Sequence, residues 1–207
     1  MLIWSSTLFQ LKTEFHRRGF EAWPFHTFMA IDIGDAAPNF ELKNANASVG
    51  DIRMTLEESR GENGLIVVFE CNHCPYVIAN ISRMDAMAEE SNSAGIGFVG
   101  INSNDPLVYP DDSYEHMEKR AQSMPYPYLH DSTQDVAHAY GAKRTPEFFL
   151  FDSELTLVYK GRMDDSPRNP TLVQTNELHD AVEAMLNGKK PLVSQTESIG
   201  CSIKWKA

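Results

Sequence analysis

The stretch LIVVFECNHCPYV, residues 65–77, sets the architecture of this 207-residue chain. Leu65 to Phe69 are five consecutive apolar residues and read as a short strand buried on both faces. Pro75 suits the first turn of a following helix, where its missing N–H leaves no bond unmade. Val77, Ile78, Ile81, Met84 and Ala88 recur on one helical stripe, with Arg83, Asp85, Glu89 and Glu90 off it, so one continuous helix is expected ahead of Gly95. IGFVGI, residues 96–101, reads as a second buried strand. Together these form a βαβ unit with parallel strands and a right-handed crossover.

Outward from that unit, GDAAPNFEL (34–42) reads as a turn and a short extended segment. Residues 44–64 read as a loop or hairpin with one helical turn. Downstream, residues 102–113 are turn-rich, and Asp112 with Glu115 resembles a capping box for a helix reaching about Ser123. Prolines keep residues 124–131 extended or looped. Ser132 with Asp135 is expected to cap a short helix that Gly141 ends. FFLF (148–151) and LTLVY (155–159) flank Asp152-Ser153-Glu154 as a hairpin. Asn169-Pro170 is expected to open a last helix, with Leu178, Ala181, Val182, Met185 and Leu186 on one face and Gly188 closing it. The order predicts an α/β fold in which one sheet mixes parallel strands with an antiparallel hairpin.

With 42% hydrophobic and 23% charged residues, the chain suits one globular domain. Its expected bounds are residues 31–207, including a C-terminal tail, preceded by an aromatic-rich extension over residues 1–30. The first 28 residues hold seven aromatics and a local charge of +1. They contain no continuous apolar h-region, so no secretory signal is expected. They read either as an ordered aromatic arm or as a stretch ahead of a natural start at Met29. The net charge of −11 argues against nucleic-acid and anionic-membrane partners, which need clustered Lys and Arg. No run approaches the roughly 18 apolar residues of a membrane span, and a cytoplasmic location is expected.

Three cysteines, Cys71, Cys74 and Cys201, are too few and odd in number for a secreted disulfide framework. The C-x-x-C pair instead points to redox or metal chemistry. Cys74 falls between the end of a buried strand and the start of a helix, the edge where α/β sheets place their sites. Free N–H groups and the helix dipole favour an anion there, so its thiol is expected to ionise below the usual value of about 8.5. His73 adds a candidate positive charge and Tyr76 a candidate hydroxyl donor. A Cys71–Cys74 disulfide closes a small ring suited to exchange.

Two other readings compete. The cysteines can be packed as small hydrophobes. Alternatively, Cys71, His73 and Cys74 can bind zinc with a fourth ligand from Cys201, His116, His130 or His138. No second C-x-x-C or H-x-x-x-H pair is present, so no metal is expected, and Pro75 excludes the C-x-x-C-H haem signature. Thr145-Pro146, just before FFLF, marks either a strand start or a cis bond that turns the preceding backbone toward a neighbouring site.

With these pieces in order, the chain resembles the thioredoxin-fold superfamily, and within it the alkyl hydroperoxide reductase/thiol-specific antioxidant (peroxiredoxin-like) branch. The resemblance runs from about Gly34 to the C-terminus. It rests on GDAAPNFEL, CNHCPYV, INSND, YPDDS, YGAKRTPEFFLFD and GCSIKWK. It implies a thioredoxin-like fold, a central mixed β-sheet flanked by helices, and an antioxidant thiol–disulfide oxidoreductase. The resemblance aligns Cys74 with the nucleophile, leaves Val77 at the usual resolving position, and makes Cys71 the resolving partner. Thr145 and Pro146 correspond to the substrate-positioning cis-proline segment.

The peroxiredoxin pattern P-x-x-x-[TS]-x-x-C is altered: Val67 replaces the proline, Cys71 replaces Thr or Ser, and Pro146 stands where the site arginine is expected. Disulfide exchange is therefore the leading expectation, with peroxide reduction resolved by Cys201, or a non-catalytic binding or redox-sensing module, as alternatives. Cys201 is otherwise expected to be a packed thiol. Val68 occupies the place of thioredoxin's buried acid. Glu70 is then either a proton carrier or, as the expected reading, a solvated loop carboxylate. The implied partners are a disulfide or peroxide substrate and a thiol reductant such as a thioredoxin or a low-molecular-weight thiol. No bound cofactor is implied.

Overall fold

The computed structural model describes residues 30–207, and the aromatic extension lies almost wholly outside them. Strand β1 (Glu41–Asn44) turns back into β2 (Arg53–Thr55). Helix α1 (Leu56–Ser59) follows, with a capping box between Thr55 and Glu58. Next come β3 (Gly64–Phe69), α2 (Pro75–Ile78), α3 (Ile81–Ser93) and β4 (Ile96–Asn102). Beyond them lie α4 (Tyr114–Ala121), β5 (Tyr128–His130), α5 (Asp135–Tyr140) and β6 (Arg144–Thr145). The chain finishes with β7 (Glu147–Phe151), β8 (Leu157–Gly161), α6 (Glu177–Leu186) and β9 (Cys201–Ser202).

The central sheet has seven strands in the order β2-β1-β5-β4-β3-β7-β8, and β6 with β9 forms a separate two-stranded ladder. Strands β3, β4 and β5 run parallel, while β7 joins β3 antiparallel. This is the expected mixed sheet. Strand β3 is buried throughout, and its period of two divides its side chains between two cores. Ile66 and Val68 pack with Val77, Met84, Met117 and Leu178 on one face; Leu65, Val67 and Phe69 pack with Leu56, Val136 and Tyr140 on the other. Each such side chain contributes about 1.5–3 kcal/mol of burial. The expected hairpin forms between β7 and β8, with Asp152 Oδ1 accepting from the Glu154 and Thr156 N–H groups at 3.0 and 2.9 Å. No helix among the described residues is long and apolar enough to cross a membrane.

Four local expectations are corrected. The helix after Pro75 is broken, and Ile78, expected on its buried stripe, is 54% exposed. The cause is buried Asn80, whose side-chain amide takes the Tyr76 carbonyl at 2.7 Å while its own N–H turns to Val77 O. Ser113, not Asp112, precedes α4, because Asp112 is drawn inward. At α5, Gln134 adopts a left-handed conformation (φ 70°), which brings buried Asp131 rather than Ser132 onto the first N–H groups. Asn169 caps only the 3-10 turn Pro170–Leu172; Asp165 holds the N–H of Gln174, and α6 starts later, at Glu177.

Candidate active site

The chain leaves β3 at Phe69, bends through Glu70 to His73, and enters α2 with Cys74 as the residue before Pro75. From across the sheet the Thr145–Pro146 bond, which is cis, presents its backbone to this bend. The Cys74 Sγ donates to Thr145 O at 3.1 Å, and Cys71 Sγ lies 3.4 Å from Thr145 Oγ1. A third sulfur arrives with the C-terminal strand, where Cys201 pairs with Thr145 across the β6–β9 ladder. Cys201 packs against the core cluster that contains Cys71 and Cys74. All three are free thiols; Cys71 and Cys74 are fully buried, and Cys201 is half-buried. The fold thus gathers every cysteine of the chain, together with Thr145 and Pro146, in one place.

Their acidities diverge. The Cys71 thiol aimed at Cys74 lowers Cys74 to about 4, assisted by the Cys201 thiol and the N–H groups of Cys201 and Val77, against the opposing effect of burial. Four donors therefore favour the thiolate, while Thr145 O serves the protonated form. This replaces the expected helix dipole, since α2 is only 4 residues long. Cys71 is shifted strongly upward by its bond to Cys74, by burial and by the Asp112 charge. Burial and the proximity of Cys74 push Cys201 up to about 11.

Beneath the bend lies a polar frame. Glu70, expected in solvent, is fully buried and ion-paired with Arg120, and its Oε1 accepts from the Tyr126 hydroxyl at 3.0 Å. Burial pushes its carboxyl up, while Arg120 and Tyr126 pull it down. Gly100 in β4 makes room: a side chain there would collide with the Glu70 carboxylate. Arg120 also donates to the Cys71 carbonyl at 2.7 Å and so ties the frame to the dithiol.

Asp112, also fully buried, accepts from Asn72 N–H (2.7 Å), Asn104 Nδ2 (2.9 Å) and His73 Nδ1 (2.5 Å). His73 is thus oriented by Asp112, and its ring stacks on Tyr109 at 4.1 Å. Tyr76 packs against the core under the Arg168 guanidinium, 5.5 Å from its ring centre, and no hydrogen bond joins it to Cys74 among the described residues.

The donors of Cys71, His73 and Asp112 lie within 4.8 Å of one another, which is a metal-like grouping. The hydrogen bonds above already engage both Asp112 oxygens and the His73 Nδ1, and Cys71 meets Thr145 Oγ1. That set fits a hydrogen-bonded frame better than a closed tetrahedral site. The other histidines weighed as ligands are engaged elsewhere: His138 stacks on Trp205, His130 lies against Tyr114, and His116 bonds Ser113 and Pro110. The sequence pattern marks none of Asp112, Arg120 and Asn72 as a site residue. Asn102 and Asn104, within INSND, carry the motif signal that could have pointed to the frame.

Residues 33–160 match the model of the AhpC/TSA family. No curated protein matches the chain. An uncharacterized conserved protein from Geobacillus kaustophilus is 41% identical with a TM-score of 0.78, and the match covers 84% of this chain and 93% of that one. A hypothetical protein from Sinorhizobium meliloti 1021 is 39% identical with a TM-score of 0.77, covering 86% and 97%. The thioredoxin domain of a thiol-disulfide oxidoreductase from Bacteroides vulgatus is 16% identical with a TM-score of 0.52, covering 69% and 96%, and shares the fold.

Proposed function

The chain belongs to the AhpC/TSA family, and from that premise we propose that it is a thiol–disulfide oxidoreductase with Cys74 as nucleophile and Cys71 as resolving thiol. The observation that carries this reading is the placement of Cys74 Sγ between the Cys71 thiol and the Thr145 carbonyl. The Cys74 thiolate attacks one sulfur of a substrate disulfide and expels the other half as a thiolate. Cys71 then attacks the Cys74 sulfur, releases the second half, and passes it the thiol proton. The resulting Cys71–Cys74 disulfide is reduced by two electrons from a thiol reductant, a thioredoxin or a low-molecular-weight thiol.

Full burial of Cys74 favours a small oxidant. A hydroperoxide is the second such class: attack there yields a Cys74 sulfenic acid and an alcohol, and a neighbouring thiol then expels water. The proposed setting is the cytoplasm, which keeps such dithiols reduced. The test is to treat wild type and Cys74→Ser with glutathione disulfide and with hydrogen peroxide, count thiols consumed and map the bridges by mass spectrometry. A Cys71–Cys74 bridge in wild type and no reaction in the variant are expected. Equal reactivity of the two proteins would sink the enzyme reading and favour a non-catalytic module.

A further inference from the structure

The C-terminal segment does more than cover the dithiol. Gly200 and Cys201 run backbone to backbone against Thr145, and any side chain at 200 would strike the Thr145 carbonyl oxygen. The segment is fastened on both sides of this contact. Before it, Thr196 N–H donates to Lys160 O at 3.1 Å, and the Thr196 hydroxyl meets Tyr159 at 2.8 Å. After it, Ile203 is buried and bonds Lys143 O at 3.0 Å, and Lys204 N–H reaches Asn104 Oδ1 at 2.8 Å. The strap therefore holds Cys201 against Thr145 in a defined register.

Access is the difficulty this arrangement poses. Cys71 and Cys74 have no exposed surface, so a thiol from solution meets Cys201 more readily than either of them. Cys201 pairs with Thr145, whose carbonyl takes the Cys74 thiol at 3.1 Å, yet keeps part of its own surface open. We propose that Cys201 is a transfer thiol, through which an external low-molecular-weight thiol reduces the buried Cys71–Cys74 disulfide. The proposal rests on the dithiol reading above.

The exchange balances in three steps. Cys201, as thiolate, attacks Cys74 Sγ of the Cys71–Cys74 disulfide; Cys71 leaves and takes up the proton that Cys201 gave. An external thiolate attacks the Cys201 Sγ of the new Cys74–Cys201 bridge, and Cys74 leaves as thiolate. A second external thiol attacks the mixed disulfide on Cys201 and releases the oxidised small disulfide. One protein disulfide and two thiols thus become a dithiol and one small disulfide.

Direction at the second step follows from two features. Cys201 is the more open of the two to attack, and the more acidic thiol, Cys74, is the better leaving group. The high Cys201 value also fits, because the Cys74 charge is among its causes and disappears once Cys74 is bridged.

The test compares wild type with Cys201→Ser, which keeps a hydrogen-bond donor in place. Both are oxidised with diamide, the Cys71–Cys74 bridge is confirmed by mass spectrometry, and reduced glutathione is added while free thiols are followed. Re-reduction of Cys201→Ser is expected to be slower by about tenfold or more, because exchange rates depend on access to the sulfur attacked. In Cys71→Ser, diamide is expected to trap a Cys74–Cys201 bridge. Equal re-reduction rates, or no such bridge in Cys71→Ser, overturn the transfer role while leaving the dithiol intact. Failure of wild type itself to form the Cys71–Cys74 bridge overturns the dithiol reading and the transfer role with it.

Discussion

The Cys74 sulfur lies 3.1 Å from the carbonyl oxygen of Thr145, a residue 71 positions further along the chain. That oxygen can only accept, so it holds the thiol form, while the Cys71 and Cys201 thiols and the N–H groups of Cys201 and Val77 hold the thiolate. The nucleophile is set by this competition between one acceptor and four donors.

The first consequence is a pH profile. The Cys74 value, lowered to about 4, means the thiolate persists above that pH and is lost below it. Exchange of Cys74 with glutathione disulfide should therefore change little between about pH 6 and pH 8, where an ordinary thiol gains about tenfold per unit. The linked stability has the same sign: a depressed folded-state value stabilises the reduced chain more as pH rises from about 4 toward the unfolded thiol value near 8.5. The urea midpoint of wild type relative to Cys74→Ser should rise across that window.

Asp112 acts on the other thiol. Its charge is one cause of the upward shift of Cys71, and its oxygens hold Asn72 and His73 in place. Asp112→Asn should lower the Cys71 value, speeding resolution at mildly alkaline pH, at a stability cost of about 1–3 kcal/mol for the hydrogen bonds it disturbs. Stopped-flow kinetics of the second exchange step, with urea unfolding alongside, measure both.

Arg120 joins buried Glu70 to the carbonyl of Cys71. Arg120→Met strands a carboxylate in the interior and should destabilise the chain by about 3–5 kcal/mol. Glu70→Gln in the same background should restore part of that loss. Urea unfolding of the two single variants and the double variant provides the comparison.

Much of this was legible in the sequence, for physical reasons that also explain the failures. Leu65 to Phe69 could only be a doubly buried strand, and that placed Cys74 at its end. The paired hairpin strands and Gly141, with φ 67°, followed from equally local rules. Glu70 was misread because its residue type favours solvent, and only the distant Arg120 makes its burial tolerable. Asp112 reads as a cap because a capping box is a local pattern, whereas its donors lie at residues 72, 73, 102 and 104. The return of Cys201 stands in the sequence only as one alternative among several, because β6 and β9 are 2-residue strands with no periodicity to read.

Gly200 tests the strap. A methyl group there would meet the Thr145 carbonyl, so Gly200→Ala should loosen the β6–β9 contact at a cost of about 1–3 kcal/mol. Cys74 should then react faster with a bulky maleimide than in wild type. An unchanged labelling rate, with an unchanged melting temperature, would show that the backbone contact matters little.

Cys74 is proposed as the nucleophile, although Cys201 is the more exposed residue. The direct measurement is to label reduced wild type at about pH 6 with substoichiometric iodoacetamide and map the modified cysteine by peptide mass spectrometry. At that pH an ordinary thiol of value near 8.5 is almost wholly protonated, so the label should fall on Cys74. Label found first on Cys201, or spread evenly over the three cysteines, would rule out Cys74 as the nucleophile.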